Sequence, residues 1–315
     1  MKRYVLRRVA LAVPTLFLVS IIVFAMLRLM PGDVATRMVE GHAYAPTLAA
    51  LRADLGLDRP VHLQYLTWIS AIALRADFGR SYWTRQPIWE EFVRRFPVTL
   101  ELAALTILIS VVLGVLVGIV SAVRQDTPAD YVGRVLAIFA LSIPYFGLAV
   151  LVVVLPSIYF KWTPVWTYVS LTADPVANLK IMIVPALIFG VTRAGPIMRI
   201  MRSALLDVLR QEYIRTAWSK GLSEQAIVLR HALRNAMIPV ITLVGLQTPL
   251  YIGGSVIMEA IFRLPGVGHF FFEALTRLDY PVVQSVNLIV AAVVVGLNLL
   301  IDLAYALLDP RIRYH

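Results

Sequence analysis

VTLELAALTILISVVLGVLVGIVSAV, running from Val98 to Val123, carries one acid (Glu101) and no basic residue. A helix needs about 20 mostly apolar residues to cross a hydrocarbon core roughly 30 Å thick, so this run reads as a membrane span. Five further runs qualify: Val9–Met30, Val135–Phe160, Leu179–Ile200, Met237–Phe262 and Val282–Leu308. Composition agrees. Of the 315 residues 59% are hydrophobic and 15% charged, against about 25% charged in soluble chains. Mean hydropathy is +0.78. So few charges cannot coat a water-facing globule, and most of the surface must meet lipid or apolar protein.

The formal net charge of +10 is therefore a matter of placement and not a coat for nucleic acid. Short inner loops of membrane proteins collect Lys and Arg. Lys2, Arg3, Arg7 and Arg8 precede the first span, Arg124 and Arg134 flank a short loop, and Arg311 and Arg313 end the chain. Arg199–Arg234 holds seven basic residues against Asp207, Glu212 and Glu224. The two short loops of the opposite side offer Lys161, Arg263 and Arg277. This asymmetry puts both termini in the cytoplasm. The first apolar run is too long for the h-region of a signal peptide, about 7–15 residues, and is expected to stay as an anchor.

Several chemistries drop out. With no cysteine there are no disulfides, thiolate metal sites or cysteine nucleophiles. The histidines, His42, His62, His231, His269 and His315, are too scattered for a zinc site or for a serine's base. H-E-x-x-H, G-x-S-x-G and the phosphate-binding G-x-x-x-x-G-K-[ST] are absent from the sequence. No catalytic residue, metal or cofactor is expected on this chain.

Two connecting segments carry more than connection requires. Pro31–Phe96, with eight basic and seven acidic residues, shows helical periodicity over Leu48–Leu57, a stop at Gly56–Pro60, and aromatics at Tyr65, Trp68, Tyr82, Trp83 and Trp89. It is expected to be ordered on the outer side. Met201–Ala236 is the inner counterpart. There, Glu212-Tyr213-Ile214-Arg215-Thr216-Ala217-Trp218-Ser219-Lys220 reads as a helix that Gly221 ends in a left-handed conformation. Ser223 can cap the next helix, with Leu222 and Ile227 as a hydrophobic staple.

At these residues the chain resembles the permease subunits of ATP-binding-cassette importers, in the dipeptide/oligopeptide/nickel branch. EYIRTAWSKGLSEQAIVLRHALRNAMIP (212–239) resembles that branch's cytoplasmic coupling (EAA) motif, with Arg215-Thr216-Ala217 where the general pattern has Glu-Ala-Ala. Similarity continues at PGDVA (31–35), LRADLGLDRPVHLQYLTW (51–68), FPVTLELA (96–103), GGSVIMEAIFRLPGVG (253–268), DYPVVQ (279–284) and LLDPRIRY (307–314). The resemblance implies an all-α integral membrane protein with six transmembrane helices of the type I importer permease fold and an extracytoplasmic subdomain between the first two spans. Its organisation would be 1–96, an anchor helix plus that subdomain, and 97–315, five helices with a coupling loop at about 201–236.

The implied partners are a second homologous permease, two ATP-binding-cassette ATPases that hold ATP and Mg, an extracytoplasmic substrate-binding protein, and membrane lipid. The implied cargo is di- or oligopeptides, and the location is a bacterial or archaeal inner membrane. Glu212, Tyr213, Arg215, Thr216, Ala217, Trp218, Lys220 and Gly221 would dock the ATPase. In this reading Tyr213 and Trp218 anchor, Arg215 and Lys220 pair with acids, and Ala217 admits close approach. Glu259 and Arg263, paired at i,i+4, with Pro265 and Gly266 are expected to brace an outer gate. A short helix at His269–Leu278 would rest its phenylalanines partly in the interface.

The alternative is a transporter driven by an ion gradient, which places ionisable relays at mid-membrane depth. Arg28 and Arg193 read as near span ends, Glu101 as first-turn after Pro97, and Asp302, on one face with Asn298, as the best relay candidate. Breakers gather in the third to fifth spans: Pro144, Pro156, Pro185, Gly195-Pro196, Pro239, Pro249 and Gly253-Gly254. These helices are expected to curve around a pathway.

Overall fold

The computed structural model describes residues 2–29, 34–40, 48–161 and 167–308. Pro31, Gly32, Asp33, residues 309–315, and the side chains of 2–9 and of Asp302 lie outside the described set, and so do the relay reading of Asp302 and the terminal basic clusters. Among the described residues the protein is helical, with one isolated antiparallel bridge between Arg80 and Pro87.

In chain order the helices are α1 (Lys2–Leu29), α2 (Val34–Glu40), α3 (Leu48–Asp54), α4 (Val61–Arg75), α5 (Ile88–Val123), α6 (Pro128–Ser142), α7 (Tyr145–Phe160), α8 (Pro175–Leu209), α9 (Glu212–Ser219), α10 (Glu224–Ala226), α11 (Leu233–Phe262), α12 (Val267–Thr276) and α13 (Tyr280–Leu308). Five are long and apolar enough to cross a membrane. The sixth expected span, Val135–Phe160, is a broken pair: α6 and α7 meet at 90°. Pro144 follows α6 and starts α7, because a proline disfavours helical backbone at the residue before it, here Ile143 with ψ 120°.

Two helices outrun their predicted spans. α5 begins at Ile88, so Pro97 lies inside it and Glu90 and Glu91 occupy its first turn. α8 starts on Pro175 with Asp174 as cap, whose Oδ1 accepts from the amides of Val176 and Ala177 at 3.0 Å each. At 35 residues it is about 52 Å long, well beyond a core of about 30 Å.

The chain divides into two compact units: Met1–Val98 with Pro265–His315, and Thr99–Leu264. In the first, the outer segment shares its core with the spans. Ile88, Phe92, Phe270, Val282, Val283 and Val286 form a buried cluster against which Leu55, Leu57, Phe78, Tyr82 and Trp83 pack. Arg28 Nη2 donates to Gln64 Oε1 at 2.7 Å, and Ser285 Oγ donates to the Phe78 carbonyl at 2.7 Å. Asp279, 3% exposed, accepts from Ser81 Oγ at 2.5 Å and from the Tyr82 amide at 3.0 Å. Burial pushes the Asp279 carboxyl up from its ordinary value, and these hydrogen bonds pull it back. Of the outer segment Pro31–Phe96, expected to be ordered, the described residues 34–40 and 48–96 include α2, α3, α4 and the start of α5, and they share their packing with α1, α12 and α13.

The second unit is built on α8, which packs against α6, α7 and α11. α5 approaches α8 through Gly114-x-x-x-Gly118: a Cβ at Gly114 would lie 2.7 Å from Ile197, and one at Gly118 2.7 Å from Met201. In lipid, where apolar side chains gain nothing by leaving one hydrocarbon for another, small residues let helices meet at van der Waals contact. Gly114→Ala is expected to lower the thermal midpoint of the purified protein, since overpacking costs about 1–3 kcal/mol. Gly253→Ala, whose Cβ would meet nothing within 4 Å, should leave it in place. Equal midpoints for the two variants count against the seam.

Candidate functional site

α8 ends at Leu209, with Arg202 two turns before its end and Arg210 as the residue that follows it, and α9 begins three residues on. α9 is short and two-sided. Ile214 and Ala217, 0% and 6% exposed, point into a cluster with Met201, Leu205, Ile227, Val228, Ala232 and Ala236. Glu212, Tyr213, Arg215, Thr216, Trp218 and Lys220 face out. The outward set thus presents two aromatics, 43% and 48% exposed for Tyr213 and Trp218, between charged groups.

This corrects one expected role. Ala217 does not offer close approach to a partner; its small side chain lets α9 sit on the chain's own core. Arg215 is also engaged locally, its Nη1 donating to Glu212 Oε1 at 2.8 Å. An exposed pair of this kind is worth about 0–1 kcal/mol, so it holds the guanidinium only weakly. The Tyr213 hydroxyl accepts from Asn235 Nδ2 at 2.8 Å, which ties α9 to the first turn of α11. Thr216 and Ser219 turn their hydroxyls back onto the carbonyls of Glu212 and Arg215 at 3.1 Å each.

Gly221 takes φ +75°, and a Cβ there would meet nothing within 4 Å. The demand for glycine is therefore torsional, with a cost of about 1–2 kcal/mol for an L side chain. Its amide donates to the Trp218 carbonyl at 2.9 Å. Ser223 caps the next helix as expected, its Oγ accepting from the Ala226 amide at 3.4 Å. Beyond α10 the chain forms a π turn over Ile227–Ala232 before α11, which no pattern in the sequence announces. Such turns gather at functional sites.

Sequence reasoning missed the structure beneath this corner. Asp130, fully buried, accepts from Arg202 Nε at 2.8 Å and Nη2 at 2.7 Å, from Ser121 Oγ, and from the Asp126 amide at 3.1 Å. Arg134 Nε stands 3.4 Å away. One carboxylate thus joins the end of α5, the turn after it, the start of α6 and the last turns of α8. Reading Arg134 and Arg202 as topology markers hid this. The available signal was an acid in the first turn after Thr127-Pro128, inside a basic loop.

The expected outer gate is not one site within either unit. Glu259, fully buried on α11, accepts from Ser255 Oγ at 2.9 Å, and Arg263 ends α11 at φ 51°. Pro265 and Gly266 belong to the other unit, where Gly266 starts α12 in extended backbone. α12 covers Val267–Thr276, earlier than expected. Phe270 lies in the core, Phe271 packs against it and Phe272 is exposed, because consecutive residues of a helix face different ways.

Glu101 is in the fourth turn of α5 and not its first. The Tyr168 hydroxyl donates to its Oε2 at 3.1 Å. Burial, together with that carboxylate, pushes the Tyr168 phenol up to about 12. Arg193 is near no end of α8: it is the nineteenth of 35 residues.

Comparison with known proteins covers the whole chain. Residues 114–314 match the family described as "Binding-protein-dependent transport system inner membrane component". Residues 1–103 match "Binding-prot-dependent transport system membrane comp, N-term". The chain is 37% identical over 338 residues to the dipeptide transport system permease protein DppB of Escherichia coli K12, covering 100% of this chain and 99% of that one. It is 38% identical over 314 residues to the glutathione transport system permease protein GsiC of Salmonella choleraesuis, covering 100% of both. The fold is similar to a structure of the MetNI methionine ABC transporter, with a TM-score of 0.51 at 18% identity over 73% of this chain and 99% of that one.

Proposed function

We propose a role for the chain from one premise: it belongs to the family of binding-protein-dependent transport system inner membrane components. It is a multi-pass permease subunit of an ATP-binding-cassette importer. Its cargo is short peptides. The observation that carries this is end-to-end similarity to permeases named for dipeptide and glutathione, both of which are peptides with free carboxylates. A second homologous permease completes the pathway, and a binding protein delivers cargo to the outer segment Pro31–Phe96. Both termini lie in the cytoplasm. ATP and Mg sit on two ATPase subunits, which dock on the exposed side of α9.

What supports docking at α9 is its division of labour: an inward face fixed to the chain's core and an outward face on which aromatics and charges stand exposed. The test is reconstitution with both ATPases, the second permease and the binding protein in liposomes. Dipeptide uptake is expected to require internal ATP; uptake driven instead by a proton gradient without ATPases overturns the reading. Gly221→Val should insert normally yet distort the corner, lowering ATPase co-purification and substrate-stimulated hydrolysis at least fivefold. Normal coupling in that variant removes the corner from the docking surface.

A further inference from the structure

Arg193 occupies the middle of α8, and among the described residues no carboxylate pairs with it. A permanently charged group at such depth is costly and is retained where it faces a bundle interior or a water-filled cavity. Its surroundings are aromatic. The guanidinium carbon lies 5.3 Å from the centre of the Phe189 ring and 5.9 Å from that of Tyr251. Tyr145 packs on Phe189 at 4.8 Å, and the Tyr251 hydroxyl is within hydrogen-bonding distance of Ser110 Oγ, 3.1 Å. Ring faces stabilise a cation, yet among the described residues its N–H donors, five in a fixed fork, have no acceptor.

A second observation points to the same place. Tyr145 is the first residue of α7, at the right-angle break between α6 and α7. Backbone that departs from helix within a membrane survives where protein covers it or where it lines a polar cavity. The break and the unpaired cation meet around one ring, Phe189. An exposed salt bridge elsewhere in the chain needs no such setting; this arginine is held by aromatic walls with its donors open.

We propose that Arg193 receives the free carboxylate of a peptide as it crosses the membrane, with Tyr145, Phe189 and Tyr251 forming the walls of that station. The planar fork of a guanidinium matches a carboxylate with two parallel hydrogen bonds. The inference rests on the peptide reading above and adds a contact residue to it.

The chain has no cysteine, which permits a clean test. In the assembled transporter, Tyr145→Cys, which leaves Arg193 in place, is expected to react on this chain with a membrane-impermeant methanethiosulfonate. Saturating binding protein with alanyl-alanine, in a vanadate-trapped complex, should slow that reaction at least fivefold. Arg193→Gln should lower alanyl-alanine uptake at least tenfold, while Arg193→Lys stays within about threefold of the unaltered protein. Failure of the unaltered transporter to accumulate alanyl-alanine overturns the peptide reading. Normal uptake with position 145 unreactive, or reactive but unprotected, overturns the assignment of Arg193 alone, as does full activity in Arg193→Gln.

Discussion

Arg202→Met is expected to lower stability by about 3–5 kcal/mol, the usual cost of stripping one partner from a buried ion pair. The effect should be unequal across the pair. Asp130 has no exposure, whereas the Arg202 side chain keeps 20%. Losing the arginine therefore strands a carboxylate where water cannot reach it, while Asp130→Asn leaves a guanidinium that can turn toward solvent. The double variant, Asp130→Asn with Arg202→Met, should recover much of the loss, because the one charge that then loses its partner, Arg134, is 38% exposed and can turn toward solvent. Thermal unfolding of the four proteins in detergent closes the cycle. Equal midpoints for Arg202→Met and the unaltered protein would show that Ser121, the Asp126 amide and Arg134 hold Asp130 without help.

Ala217→Arg and Trp218→Ala are expected to fail in different ways, although the two residues are adjacent. An arginine at Ala217 would enter the cluster of Met201, Leu205 and Ile227, adding volume and an uncompensated charge to a packed interior. The isolated chain should lose several kcal/mol and ATPase binding with it. Trp218→Ala removes an exposed ring and should leave the midpoint unchanged. A central aromatic anchor of an interface is worth about 2 kcal/mol or more, so ATPase affinity should fall about 30-fold. A lowered midpoint for Trp218→Ala, or normal ATPase binding, would remove it from the interface.

The spans were legible because lipid leaves one rule in force: every residue of Val98–Val123 must tolerate hydrocarbon or a neighbouring helix. The corner was legible for a related reason, since Gly221 and Ser223 act within a few residues of themselves. What stayed hidden depends on partners far along the chain. Asp130 and Arg202 are 72 residues apart, and nothing near either announces the other. Gly114 and Gly118 did stand in a recognisable small-residue spacing, but which helix they meet is settled only by packing. Facing direction on α9 was the subtler miss: Ala217 and Trp218 are neighbours in sequence, about 100° apart around the helix, one buried and one exposed, and only the location of the core tells them apart.

The right angle between α6 and α7 has a consequence for how the chain enters the membrane. The two helices have 15 and 16 residues, so each is only about 22–24 Å long, short of the roughly 30 Å needed for an independent crossing. Placed alone in lipid, the pair would also expose the polar backbone around Ile143 and Pro144 to hydrocarbon. Cover comes from α8 and α11, both of which are synthesised later and pack against α7. Stable residence of this pair in lipid is therefore expected to depend on α8 being present, so that a chain truncated before α8 should insert this segment poorly.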